Sequence, residues 1–185
     1  MTPMGFLSVL AQARQARALR ATVAFTDGGC SRVKGVGAFA WRALTVSGEV
    51  AMHCQGFMNT TNNRMELMAL CDALASLPVE TPLTLVSDSL YCIDGMRHVA
   101  GWLRRAWKTV DGKPVKNRDL WETVPGLTIG RDLQFRHVKG HAGNAENEFV
   151  DSLCTAEMKR LLRLRDAGKE VPLDLGYHHE TRENC

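Results

Sequence analysis

The sequence predicts an α/β fold built on a mixed five-stranded sheet, an antiparallel meander continued by parallel strands and flanked by helices. Three observations carry that expectation. Three short apolar segments follow one another between residues 21 and 57 with tight connections, which is how a meander reads. A helical stretch, a strand and a second helix come next, the pattern of a crossover that returns a parallel strand to the sheet. A chain of 185 residues with 45% hydrophobic and 23% charged content suits one compact domain that buries roughly 70% of its unfolded surface. The same composition excludes fibres, coiled coils and wholesale disorder.

Residues 1–20 hold Arg14, Arg17 and Arg20 and no acid, with Phe6, Leu7 and Leu10 at helical spacing, so a basic extension forming a short surface helix or frayed arm is expected. An organellar transit peptide shares this composition. ATVAFT then runs as a strand into Asp27, GVGAFAW follows a glycine-containing loop, and VAMHCQGF follows a turn at Ser47-Gly48. TTNNRMELMALCDALASL places Met65, Leu67 or Met68, Leu70, Cys71 and Leu74 on one helical face and stops before Pro78. LTLVS is a strand leading into Asp88, followed by a helix from Ser89 to Met96. Beyond a basic Trp-containing segment come a short helix near Leu120 and Trp121, the strand DLQFRHV, and a long helix from near Asn144 to Gly168. The domain is thus expected over 21–168, with a polar tail over 169–185 loosely held after Pro172.

Six widely spaced cysteines without a CxxC pair point to thiols in a reducing, cytoplasmic compartment rather than to a zinc knuckle or disulfide frame. Every apolar run is interrupted well short of the ~20 residues a membrane span needs. The net charge of +3 hides a concentration, because seven Lys or Arg against one Asp fall between Arg97 and Arg118, leaving −3 for the rest. Such a local positive field suits a nucleic-acid contact.

Asp27 and Asp88 follow strands that this topology makes neighbours, so both carboxylates emerge at one sheet end, where α/β folds bind ligands. Glu66 lies in the early turns of the intervening helix, and Asp151 follows Asn147 by four positions on the last helix. Unit charges ~4 Å apart at an effective dielectric of ~20 repel by about 4 kcal/mol per pair, so four converging acids stay ionised only around cations. Carboxylate oxygens select Mg²⁺ or Mn²⁺. Each residue also has a plainer reading: Asp27 as a turn former, Glu66 as a capping partner of Asn63, Asp151 as a solvated acid, His141 as a loop histidine, Trp102 and Trp107 as core.

As a set, TDGGC, TTNNRMEL, LVSDS, WKTVDGKPVKNRDLW and VKGHAGNAENEFVD, in this order, resemble type-1 ribonuclease H, the bacterial and phage kind with a basic protrusion, over about Thr22 to Glu157. The resemblance implies a ribonuclease H-like fold and an endonuclease that cuts the RNA strand of an RNA–DNA hybrid, leaving 3′-hydroxyl and 5′-phosphate ends. It implies that Asp27, Glu66, Asp88 and Asp151 hold two Mg²⁺ ions, with Asp27 between them and Asp151 on the leaving-group side. It makes His141 a proton shuttle or release aid, Asn147 a support for that loop or the attacking water, and Asn62 and Asn63 minor-groove contacts to the hybrid. The protrusion residues Trp102, Arg104, Arg105, Trp107, Lys108, Lys113 and Lys116 would grip DNA phosphates, charge interleaved with aromatic surface. The protein would work as a monomer.

Two departures from the family pattern stand out. The loop GGCSRVKGVG is about three residues shorter than the family's Gly-Asn-Pro-Gly-containing turn, which leaves Cys30 as its candidate contact. Leu90 stands where relatives commonly carry Gln. The competing readings are another nuclease of the same superfamily, resolvase- or integrase-like, and a hybrid-binding module with weak or lost catalysis.

Overall fold

The computed structural model describes residues 21–31 and 35–175. The basic extension and the last ten residues lie outside them. Strands β1 (Thr22–Ser31), β2 (Val36–Leu44), β3 (Val50–Met58), β4 (Leu83–Ser87) and β5 (Leu133–His137) form one sheet in the order β3-β2-β1-β4-β5. The β1–β2 and β2–β3 pairs are antiparallel and the β1–β4 and β4–β5 pairs parallel, which is the mixed sheet the sequence predicts.

The helices are α1 (Asn62–Ser76), α2 (Leu90–Arg104), two short segments α3 (Arg118–Trp121) and α4 (Val124–Thr128), and α5 (Ala145–Asp166). One sheet face packs against α1 through Met65, Leu70 and Leu74, in a core that also holds Leu85, Leu120 and Trp121. The other face sets Val23, Phe25, Ala38, Ala40 and Val86 against Val150 and Cys154 of α5. β1, covered on both sides, is buried from Thr22 to Gly28, whereas the edge strand β3 is buried only at Gly56 and Met58. Side chains as large as Leu67, Leu70 and Leu161 are fully buried, each contributing about 1.5–3 kcal/mol.

Three expectations change. β1 does not end before Asp27 but carries it, paired with Ala40, because β2 is long enough to hold its partner through Ser31. Helix α2 runs past Met96 to Arg104, since Val99 and Trp102 extend the buried stripe of Ile93 and Gly95 despite the polar residues between. The segment after Pro172 is not loose where it is described. Met58 N–H donates to Pro172 O at 2.8 Å and Asp174 N–H to Met58 O at 3.0 Å, so this stretch pairs in parallel beside the end of β3. The Asp174 carboxylate, 3% exposed, accepts from Arg64 Nε at 2.6 Å and from Thr60 Oγ1 at 2.8 Å. A buried carboxylate with a charged donor is held far more firmly than a solvated one.

Candidate active site

The site forms where the β1–β4 pair meets the start of α1 and of α5. Asp27 projects from β1 towards the α5 side, and Asp88 follows β4 immediately. Helix α1 approaches β1 closely enough that a Cβ on Gly28 would lie 2.1 Å from the Glu66 backbone nitrogen. Only glycine permits that approach, and it carries Glu66 to the two aspartates. One oxygen from each of Asp27, Glu66 and Asp88 lies within 4.8 Å of the others. Asp27 and Glu66 are each 7% exposed. Glu66 is therefore no capping partner: the α1 N-cap is Thr61, without a side-chain capping bond.

Burial, reinforced by the neighbouring charges of Asp88 and Asp151, pushes the Asp27 carboxyl up to about 6. Burial, with Asp27 and Asp88 beside it, pushes Glu66 up to about 9, against hydrogen bonds from the Gly28 backbone and the Asn62 side chain. Glu66 Oε2 is buried without a hydrogen-bond partner. Three hard oxygen donors that repel one another, one of them unsatisfied, fit a divalent cation and little else. Asp151, half-buried on α5, adds its charge at Asp27.

The other expected residues divide. Asn147 Nδ2 donates to Asp88 Oδ2 at 3.1 Å, so this residue, expected near the loop or the attacking water, holds a carboxylate of the cluster and is 3% exposed. His141 is exposed and has φ 51°. Its loop crosses the site at Gly140, where a Cβ would meet Asp88 Oδ2 at 2.5 Å. Asn62 and Asn63 are exposed at the start of α1. Cys30 is half-buried, and its Sγ donates to Thr60 O at 3.3 Å.

Arg104, Arg105, Lys108, Lys113 and Lys116 are all exposed. Arg105 is partly committed, its Nε donating to Lys108 O at 3.2 Å. Trp107 is a correction: at 6% exposure it belongs to the core with Val115 and offers no surface to a ligand. Trp102 is half-buried against Trp121, ring centroids 5.3 Å apart, and lines an open groove with Leu90, Asp94 and His98. Among the residues that sequence patterning leaves unassigned, Arg42 and Glu146 form a close ion pair beside the site, 14% and 4% exposed at their side chains. An arginine at an inward position of β2 is the signal that marks them.

The RNase H family model matches residues 20–159. The Ribonuclease H of Cereibacter sphaeroides (strain ATCC 17029 / ATH 2.4.9) is 44% identical over 140 residues, covering 73% of this chain and 93% of that protein. That of Nitratidesulfovibrio vulgaris (strain DP4) is 43% identical over 138 residues, 74% of this chain and 88% of that one. Among solved structures, LC9-RNase H1, a type 1 RNase H with the type 2 active-site motif, superposes with a TM-score of 0.64 at 26% identity, covering 76% of this chain and 73% of its own. The foamy viral protease-reverse transcriptase, solved in complex with RNA/DNA hybrid, shares the fold with a TM-score of 0.65 at 16% identity, over 76% of this chain and 20% of its own.

Proposed function

The chain belongs to the ribonuclease H family and is a hydrolytic endonuclease for the RNA strand of RNA–DNA hybrids, and we propose that it works with two Mg²⁺ ions, leaving 3′-hydroxyl and 5′-phosphate ends. The observation that carries the metal reading is the trio of buried Asp27 and Glu66 with half-buried Asp88, and its unsatisfied Glu66 oxygen. Bound ions supply Lewis acidity at the scissile phosphate and at an attacking water, without a covalent nucleophile. Mn²⁺ satisfies the same donors.

In this reading the side chains divide the work. Glu66 and Asp88 serve the nucleophile side, Asp151 the leaving-group side, and Asp27 both. Asn147 fixes the orientation of Asp88, as outer partners of metal-binding carboxylates do. His141, exposed on a loop that touches Asp88 through Gly140, moves a proton or helps product leave. The amides of Asn62 and Asn63 reach the minor groove, where donating and accepting groups read the 2′-hydroxyl. Asn62 also braces Glu66, which ties substrate contact to the cluster. The exposed charges of Arg104, Lys108, Lys113 and Lys116, and the free edge of Trp102, take DNA phosphates and sugars. The protein is read as a monomer, and as cytoplasmic in keeping with its cysteine usage.

A labelled RNA–DNA hybrid incubated with Mg²⁺, with EDTA, and with the Asp27→Asn variant tests the reading. Cleavage of the RNA strand by wild type in Mg²⁺ alone is expected, with hybrid binding retained by the variant. Near-normal turnover in EDTA or by Asp27→Asn would remove the two-metal assignment.

A further inference from the structure

Positions Ala38, Ala40, Arg42 and Leu44 of β2 point towards α5, and the first two and the last are buried among apolar groups. Arg42 breaks that row with a charge. Its guanidinium pairs with Glu146, a buried residue in the first turn of α5, and its Cζ lies 4.9 Å from the centroid of the Phe149 ring. A guanidinium capped by an aromatic face and paired with a nearly dry carboxylate is a strong, geometrically restrictive contact.

Glu146 and Asn147 are successive residues, about 100° apart around the helix. The first reaches sideways to β2, and the second reaches to Asp88 at the end of β4. Two anchors in different directions fix how the N-terminal turn of α5 is rotated. Asp151 follows Asn147 by four positions and therefore lies on the same stripe one turn later. Asn147 and Asp151 therefore share whatever rotation this end of α5 adopts.

We propose that Arg42, through Glu146 and under Phe149, is a positioning residue for the reaction: it sets the rotation of α5 that aims Asn147 at Asp88 and Asp151 at the leaving-group side of the site. The assignment of Asp151 to that side rests on the two-metal reading above, whereas the rotation itself does not.

The test combines kinetics with a metal-free readout. In Arg42→Met the side-chain amide resonances of Asn147, followed by ¹⁵N NMR without metal, should lose the dispersion that its hydrogen bond to Asp88 gives. With Mg²⁺, kcat on a hybrid should fall about 10- to 100-fold, and the Mg²⁺ concentration for half-maximal rate should rise, as for loss of an outer partner of a metal-binding group. KM for hybrid should stay within about twofold, since no substrate contact is removed. Arg42→Lys should recover most of the loss, which a purely structural role in packing would not require. Glu146→Gln keeps the side-chain shape and provides the same readouts if Arg42→Met folds poorly. If wild type cleaves without any metal, the two-metal reading fails and the Asn147 resonances alone decide the positioning role. Unchanged Asn147 resonances and unchanged kcat in either variant, at a temperature where it is fully folded, would overturn the proposal.

Discussion

The carboxylate cluster and the basic protrusion are both dense in charge, yet they are built in opposite ways. In the cluster the charges are buried and the framework is brought to them: β1, β4, α1 and α5 converge, Gly28 lets α1 close in, and Asn147 and Asn62 brace individual oxygens. In the protrusion the framework is buried and the charges stand outside it. Trp107 and Val115 root the loop in the core, Val115 N–H donates to Trp107 O at 3.0 Å, and the lysines and arginines project into solvent. Buried like charges repel strongly and are tolerated for what they bind. Exposed charges are screened and act only collectively. Chemistry therefore needs the first arrangement, and grip needs the second.

The largest effect that would sharpen this contrast is expected at the loop over the cluster. His141→Ala should lower kcat by roughly 10²–10⁴-fold if the imidazole moves a proton, and by less if it only aids release. Hybrid affinity at low salt should hardly change. A variant as active as wild type from pH 6 to 9 would reduce His141 to a loop residue and confine the chemistry to the carboxylates.

The stored repulsion of the cluster should be measurable without substrate. Asp27 and Glu66 bind protons more tightly in the fold than in the unfolded chain, their carboxyls lying near about 6 and about 9. The stability this confers is complete below the ordinary carboxyl range and is lost as pH rises through those values. The Tm of the metal-free protein should therefore fall from pH 5 to pH 9. Mg²⁺ should restore it by binding only the folded state. Glu66→Gln should flatten the metal-free profile and raise Tm at pH 8, by about 2–4 °C for each kcal/mol relieved, while losing most of the Mg²⁺ effect. A wild-type Tm that is flat with pH and insensitive to Mg²⁺ would mean the cluster carries no such strain.

How much of this could be read from the chain follows the same division. Local patterns suffice for the five strands and for α1 and α5, because each depends on periodicity and on neighbours within a few residues, whereas bringing Asp27, Glu66 and Asp88 together takes the order of the strands and the approach of α1 to β1. The docking of Asp174 was not legible: its partners Arg64 and Thr60 lie more than 100 positions away, and a lone acid in a polar tail looks solvated. Trp107 looked available because basic residues surround it in sequence, whereas the positive φ values of Ala106 and Trp107 turn its ring inward. Asn147 gave no hint of Asp88, since spacing along α5 says nothing about which loop faces it. The Arg42–Glu146 pair left a trace, a charge in an inward row of β2, which only the sheet register makes readable.

For the protrusion the expected effect is smaller and depends on salt. The side chains of Arg104, Lys108 and Lys113 are exposed, whereas the Arg105 side chain is engaged by the Lys108 carbonyl. Replacing the three with Ala should flatten the slope of log K for hybrid against log salt by up to about 2–3 and raise KM, because fewer counterions are released. kcat and Tm should stay close to wild type. An unchanged slope would make this basic run a solvated face and remove the division between chemistry and grip.

The smallest effect is expected where the two regions meet. Leu90 begins α2 two residues after Asp88, is 58% exposed, and lines the groove that leads along Trp102 to the protrusion. It does not pack into its own helix core, so a polar replacement has room and should leave the fold unstrained. A hydrogen bond gained in a wet groove contributes only ~0.5–1.5 kcal/mol. Leu90→Gln should accordingly lower KM for hybrid several-fold with little change in kcat, the pattern of binding gained equally in ground and transition states. Measured at low salt, where the protrusion already holds the duplex, the gain should persist, because it comes from a contact to the hybrid and not from phosphate charge. A variant that melts as wild type does and shows no gain at any salt would place Leu90 outside the path of the substrate, and the groove would then belong to the protein's surface alone.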